Sequence, residues 1–245
     1  MKRSIFYFSG TLLLALAAGC SSNVAPSGTS SQVNYVRGGT YVYYAQNLDA
    51  NTGNPIAGSG DTITSIVLTT GGSYQGMSNV TEIQNTHSNA GAGVAPIDTT
   101  YIAQSNGDYW HYNYGLESLN TNQTVLNFNG GKRLVAGWIL QAKLSATSGT
   151  TWIAADTQIA VGSASAKLLD TATEASDTII VVGSSQLTAK HVVHHLNLNA
   201  VIATGTGSVD TYVSQDDGPA LDIVHPALVA STLTPGRITI LLKKE

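Results

Sequence analysis

Residues 188–203 constrain the fold more than any other stretch, because they alternate. Val192, His194, Leu196, Leu198 and Ala200 fall on one face, while His191, His195, Asn197 and Asn199 fall on the other. Side chains of an extended strand point to opposite sides with a period of two, so this is a long strand with one dry side and one wet side. Its neighbours follow the same plan. Residues 178–182 precede it across Gly183-Ser184-Ser185, and residues 209–214 follow Gly205-Thr206-Gly207. The turn Asp216-Asp217-Gly218-Pro219 leads to 221–224, and the run 237–242 closes the chain with Ile238, Ile240 and Leu242 expected inward. Strands separated by tight Gly-containing turns predict an antiparallel meander.

Upstream, Tyr41-Val42-Tyr43-Tyr44-Ala45 is aromatic and β-branched, the composition of a first strand. Residues 62–69 carry Ile63 and Val67 on one side and Ile66 and Leu68 on the other, which suggests a central place in a sheet. Between these two stretches, Asp49-x-Asn51-x-Gly53 has the spacing of the front half of a calcium loop. No Glu follows at the distance such a loop requires, so a turn rich in Asn, Asp and Gly is expected. Shorter strands are expected over 80–83, 97–103, 125–128, 134–143 and 152–161, with a hairpin turn at Asn129-Gly130-Gly131. Residues 164–175 are the one stretch read as a short helix, against the β-branched Thr171 and Thr173. In 108–114 the alternation places Trp110, Tyr112 and Tyr114 on one face, where they either line a ligand cleft or fill a core.

The fold class is therefore all-β: a mainly antiparallel, strongly curved sheet of half-barrel form, or a β-sandwich, with few short helices. Charged residues are only 11% of the chain, and Gly, Thr, Ser and Asn abound, as suits strands and turns better than long helices.

The N-terminus bears on location. Lys2 and Arg3 precede an apolar run over 5–18 that ends in small residues before Cys20, the single cysteine. This is the plan of a bacterial export signal. A run of 14 residues falls short of the roughly 20 that span a bilayer. Leu16-Ala17-Ala18-Gly19-Cys20 resembles the lipobox of bacterial lipoproteins, although Ala17 stands where that family usually has Leu. The resemblance implies loss of residues 1–19 and acylation of Cys20. Two or more acyl chains hold a protein stably on a membrane, where one does so only marginally. By the same resemblance, Ser21 in place of Asp implies the outer membrane.

The expected organisation is a signal peptide over 1–19, a tether over 20–36 and a single β-rich domain over 37–245. The mature chain would carry nine basic against 15 acidic residues, a formal charge of −6, which offers nucleic acid no basic surface. With no cysteine beyond Cys20, stability must come from burial.

A second, looser resemblance covers the C-terminal part. The break 183–185, the long strand opening with Ala189-Lys190, then Asp210-Thr211-Tyr212-Val213-Ser214, a Gly turn and Leu221-Asp222-Ile223-Val224 look like the corresponding half of TapB-like and DUF3108 lipoproteins. Those are related in shape to lipoprotein-carrier half-barrels. The resemblance implies a curved sheet whose concave side holds apolar material.

Chemistry-bearing motifs are sparse. His191-Val192-Val193-His194-His195 would present His191 and His195 to one zinc ion on a helix, but on a strand the two lie about 13 Å apart at ~3.3 Å per residue. The strand reading makes them surface and core histidines, and no metal or cofactor is expected. Gly-x-Ser-x-Gly, His-Glu-x-x-His, Gly-x-x-x-x-Gly-Lys and Gly-x-Gly-x-x-Gly are all absent. The expectation is a non-enzymatic, membrane-anchored lipoprotein that binds an apolar ligand such as a lipid or acyl chain, with Trp110, Tyr112 and Tyr114 as candidate contacts. The alternative is a structural or adhesive surface module that binds protein or glycan through loops such as 46–60 and 84–96.

Overall fold

The computed structural model describes residues 32–89, 97–114, 136–161, 164–200, 204–229 and 232–245. Cys20, the expected strand over 125–128 and the expected turn at 129–131 lie outside them.

Alternating apolar and polar residues give fourteen strands and no helix among the described residues. β1 (Thr40–Leu48), β2 (Asp61–Tyr74), β3 (Met77–His87), β4 (Ile97–Ser105), β5 (Asp108–Tyr112) and β6 (Trp138–Lys143) lie side by side in one half of a sheet. The other half holds β7 (Thr151–Val161), β8 (Ala164–Val182), β9 (Ser185–Ala200), β10 (Thr204–Ser214) and β11 (Gly218–Val224). β14 (Gly236–Lys244) joins the halves by pairing with both β1 and β11. β12 (Ala227–Val229) and β13 (Thr232–Thr234) form a small arm, in which β12 pairs the start of β10. All pairings are antiparallel.

Register shifts interrupt many of these ladders, among them β1 with β14, β2 with β3, β5 with β6, β7 with β8, β8 with β9 and β10 with β11. Each bulge bends and twists its strand. Together they curl the sheet until β6 and β7 come edge to edge, and the sheet is nearly closed into a barrel. No backbone ladder joins these two strands, but the indole Nε1 of Trp152 donates to the carbonyl of Leu140 across the gap at 3.1 Å.

Three expectations need correcting. Residues 164–175 form the first part of β8, not a helix: Ala166, Leu168, Asp170, Ala172 and Glu174 are buried at every second position, and both edges pair with long neighbours. At the chain's end Leu241, not Leu242, faces the core. Leu241 lies opposite Tyr43, which packs against the core, whereas Ile238 and Ile240, opposite Ile223 and Leu221, are half-exposed and Leu242 is exposed, so the three residues expected inward stand on the side away from the core. Finally, Val33 and Tyr35, at the far end of the segment read as a tether, are packed in the core.

That N-terminal piece is fixed by hydrogen bonds. Gln104 forms two with the backbone of Val33, accepting from its N–H at 2.6 Å and donating to its carbonyl at 2.9 Å. The hydroxyls of Tyr35 and Tyr109 meet at 2.6 Å. One end of the barrel, the upper end, thus gathers segment 32–39, the chain terminus and the turns β2–β3, β4–β5, β6–β7, β8–β9 and β10–β11. The arm, the connections β1–β2 and β11–β12, the end of β3 and the start of β4 lie at the lower end. The core fills the concave side with large side chains, including Tyr41, Tyr109, Ile139, Leu144, Ile159, Leu168, Leu196 and Leu241.

Candidate functional site

His194 stands on the dry face of β9 between Val192 and Leu196, and the sheet builds a network around it. Its Nδ1 lies 2.9 Å from Asp170 Oδ2 on β8, and its Nε2 donates to the carbonyl of Gln141 on β6 at 2.8 Å. Both nitrogens are therefore engaged, and the His194–Asp170 contact shares one proton whichever atom carries it. Gln141 continues the network by donating to Thr211 Oγ1 on β10 at 3.0 Å, and Tyr114 donates to Asp222 Oδ1 on β11 at 3.0 Å. The Tyr114 ring lies 5.3 Å from the rings of both His111 and His194. Burial lowers the His111 pKa to about 4, against weaker opposing effects of Gln141 and Asp98, so this ring is neutral at pH 7. Among these groups His111 Nδ1, Gln141 Oε1 and Asp170 Oδ1 have no hydrogen-bond partner.

The aromatic face read from 108–114 is divided. Trp110 pairs with Ala103 and Tyr112 lies two residues on, so these two share the outer, convex face of the sheet. Asn113 has φ 61°, and this left-handed residue turns Tyr114 inward to the network. Asn113 is suited to it: its side-chain oxygen accepts from the N–H groups of Ala136 and Gly137 at 2.9 and 3.0 Å.

Outside, Tyr112 joins rings from three other strands. Tyr74 and Tyr101 stack at 3.7 Å with planes 8° apart, Tyr112 stands edge-on to Tyr74 at 5.1 Å, and Trp138 lies 5.4 Å from Tyr112. The Trp138 indole donates to the carbonyl of Gln75 at 3.2 Å, which fixes the β2–β3 turn over this cluster. All four rings are half-buried. Trp138 and Tyr112 were visible in strands read from the sequence, but the meeting with Tyr74 and Tyr101 depends on the register of β2 to β6.

Three of the four remaining histidines, His87, His191 and His225, also meet carboxylates. His87 Nδ1 lies 2.7 Å from Asp61 Oδ2, and its Nε2 lies 3.3 Å from Asp98 Oδ2. Burial opposes ionisation of Asp61, but hydrogen bonds from His87, the Asn89 N–H and Ser88 outweigh it and lower its pKa. On the outer face Asp210 receives His191 at 3.1 Å and His225 at 2.7 Å, while His195 borders a shallow groove with Ser208, Pro226, Leu228 and Leu233. His191 and His195 thus stand on the wet face with separate surroundings. No group of three or more His, Cys, Asp or Glu residues suited to a metal ion occurs among the described residues. In the Asp49 loop, Oδ1 accepts from the Thr52 and Asn51 N–H groups and the Thr52 hydroxyl at 2.9 to 3.1 Å, a side-chain-closed turn.

No family model matches the chain, and no curated protein matches it in sequence. The fold is similar to that of a candidate lipoprotein from Parabacteroides distasonis ATCC 8503, with TM-score 0.56 and 11% identity, over 90% of this chain and 100% of that one. A candidate exported protein with a YmcC-like fold from Bacteroides fragilis NCTC 9343 gives TM-score 0.48 and 9% identity over 87% of this chain and 98% of its own. At such identities the first likeness shows a common fold.

Proposed function

We propose that this chain is a lipid-anchored, non-enzymatic protein of the bacterial cell envelope, held in the outer membrane through Cys20, whose barrel binds a protein or glycan partner with its outer surface. The observation that carries the reading is the division of labour between the two faces. The concave side is occupied by the protein's own large side chains and by a network in which His194 has both nitrogens committed. The convex side carries four half-buried aromatic rings from four strands. Tyr and Trp with apolar bodies and polar tips are the residues that dominate binding surfaces. The candidate contacts Trp110 and Tyr112 then belong to the outside, and Tyr114 to the interior network.

Similarity of fold to a candidate lipoprotein supports the anchored reading, and Leu16-Ala17-Ala18-Gly19-Cys20 supplies its chemistry. The test is crosslinking in cells of the full chain against Tyr112→Ala and Trp138→Ala. Loss of the crosslinked species in both variants, with folding intact by circular dichroism, is expected. A fluorescent fatty acid displaced saturably from the intact protein would instead favour an apolar ligand in the concavity.

A further inference from the structure

The geometry points to the upper end of the barrel as a surface that rests on the phospholipid bilayer, with Val36, Ile179, Val181 and Leu242 immersed in the headgroup region. This inference rests on the acylation of Cys20 proposed above and adds an orientation to it.

The four side chains belong to three segments that converge. β8 and β9 are joined at Gly183, and a Cβ there would lie 3.9 Å from the carbonyl of Leu242. The terminal residue Glu245 exchanges two backbone hydrogen bonds with Thr40, both 2.8 Å, and Gly39 bonds back to Val36. Ile180 and Val182 point into the core, so Ile179 and Val181 point away from it. The four are 46 to 63% exposed, although β-branched and aliphatic residues at a strand's end could have been polar without loss of core. Three lysines of this end are paired, Lys190 with Asp177 at 2.7 Å, Lys243 with Glu245 and Lys244 with Asp217 at 2.9 Å, while Arg37 beside Val36 is exposed and carries no ion pair among the described residues. The four aliphatic side chains carry the contact, and 0.5 M salt should leave most of it in place.

Apolar exposure alone does not choose the end, because Ile56, Ile97, Leu228 and Leu233 are exposed at the lower one. The path of the chain chooses. The described chain begins with Gln32 and Val33 at the upper end, twelve residues after Cys20. Twelve residues span at most about 40 Å when fully extended. A strand of 11 residues, as in β7 and β10, is about 35 Å long. The lower end would reach the bilayer only with the connecting segment drawn taut along the wall, whereas the upper end reaches it without extension.

The test uses the full acylated chain in phosphatidylethanolamine and phosphatidylglycerol vesicles with brominated acyl chains. A fluorophore is placed at Val181→Cys or, as the control, at Leu228→Cys. Quenching at position 181 should exceed that at position 228 by at least about threefold, and Ile179→Asp in the Val181→Cys protein should abolish the difference. Equal quenching at both positions, with mass spectrometry showing acylated Cys20, overturns the orientation and leaves the anchor standing. An unacylated Cys20 overturns both.

Discussion

His194 ties β8 and β9 to β6 across the seam of the barrel, and its worth depends on what is left behind when it is removed. Replacing it with Leu strands the Asp170 carboxyl, whose other oxygen already lacks a partner. Removing one member of a buried pair costs about 3–5 kcal/mol, whereas replacing both with apolar groups is often neutral. His194→Leu should therefore lower stability by that amount in urea unfolding, and His194→Leu with Asp170→Leu should recover most of it. A double variant as unstable as the single one would show that the pair holds the fold together. Glu174 is a different case. Its side chain is fully buried with neither oxygen hydrogen-bonded, and Lys190 Nζ stays 3.9 Å away while it meets Asp177 at 2.7 Å. Burial raises its pKa from 4.5 to about 7, against the attraction of Lys190. Between those pH values the folded protein holds a proton that the unfolded chain has lost, so stability falls as pH rises through this window. Glu174→Gln should match the natural protein at pH 5 and exceed it by about 1–2 kcal/mol at pH 8, measured by denaturant midpoints at both pH values. Equal midpoints at pH 8 would mean that Glu174 finds a compensating donor.

Among the elements, the β12–β13 arm depends on contacts outside its own two short strands. Asp210 on β10 receives His191 and His225, and the His225 N–H donates to the Ser208 carbonyl at 3.0 Å, clamping the β11–β12 connection. Hydrogen bonds from the two histidines hold the Asp210 pKa far below the usual range, and the same contact raises that of His225. Ionised Asp210 contributes stability that is lost as pH falls below about 4, and protonated His225 contributes stability that is lost as pH rises above about 6.5 and through its folded value. The clamp is strongest between. Asp210→Asn should speed amide exchange in 225–229 several-fold at pH 6 and much less at pH 9, and an equal effect at both would assign the clamp to geometry alone. The arm also shows what the sequence could convey. The alternation of 188–200 carried β9 and its inward His194 directly, because period two survives wherever no bulge intervenes. Elsewhere it failed or misled: left-handed Asn113 moved Tyr114 to the other face, and in β14 the aliphatic positions Ile238, Ile240 and Leu242 alternate on the side away from the core, so hydrophobicity pointed to the wrong face. β8 was obscured for another reason, since its inward positions include Asp170 and Glu174, polar residues that only a network formed by distant strands explains.

For the whole molecule, the tight turns of the meander are local and legible, but closure is not. β1 meets β14 across nearly the entire chain, and the outer cluster needs the combined register of β2 to β6, neither of which any short window contains. Closure also remains incomplete, because β6 and β7 face each other without a ladder and Trp152 supplies the hydrogen bond that spans them. An indole can do this because its ring fills the core side while its N–H reaches the Leu140 carbonyl. Trp152→Phe keeps most of the apolar volume and leaves that carbonyl unpaired, at a cost of about 1–3 kcal/mol. The location of the loss distinguishes a seam from ordinary core. If the sheet opens between β6 and β7, amides of those strands should exchange faster by a factor larger than those of β9 and β10, which have ladders on both sides and open only with the whole. A uniform acceleration in every strand would mean that the barrel opens as one unit and that the gap is closed by packing rather than by this single hydrogen bond.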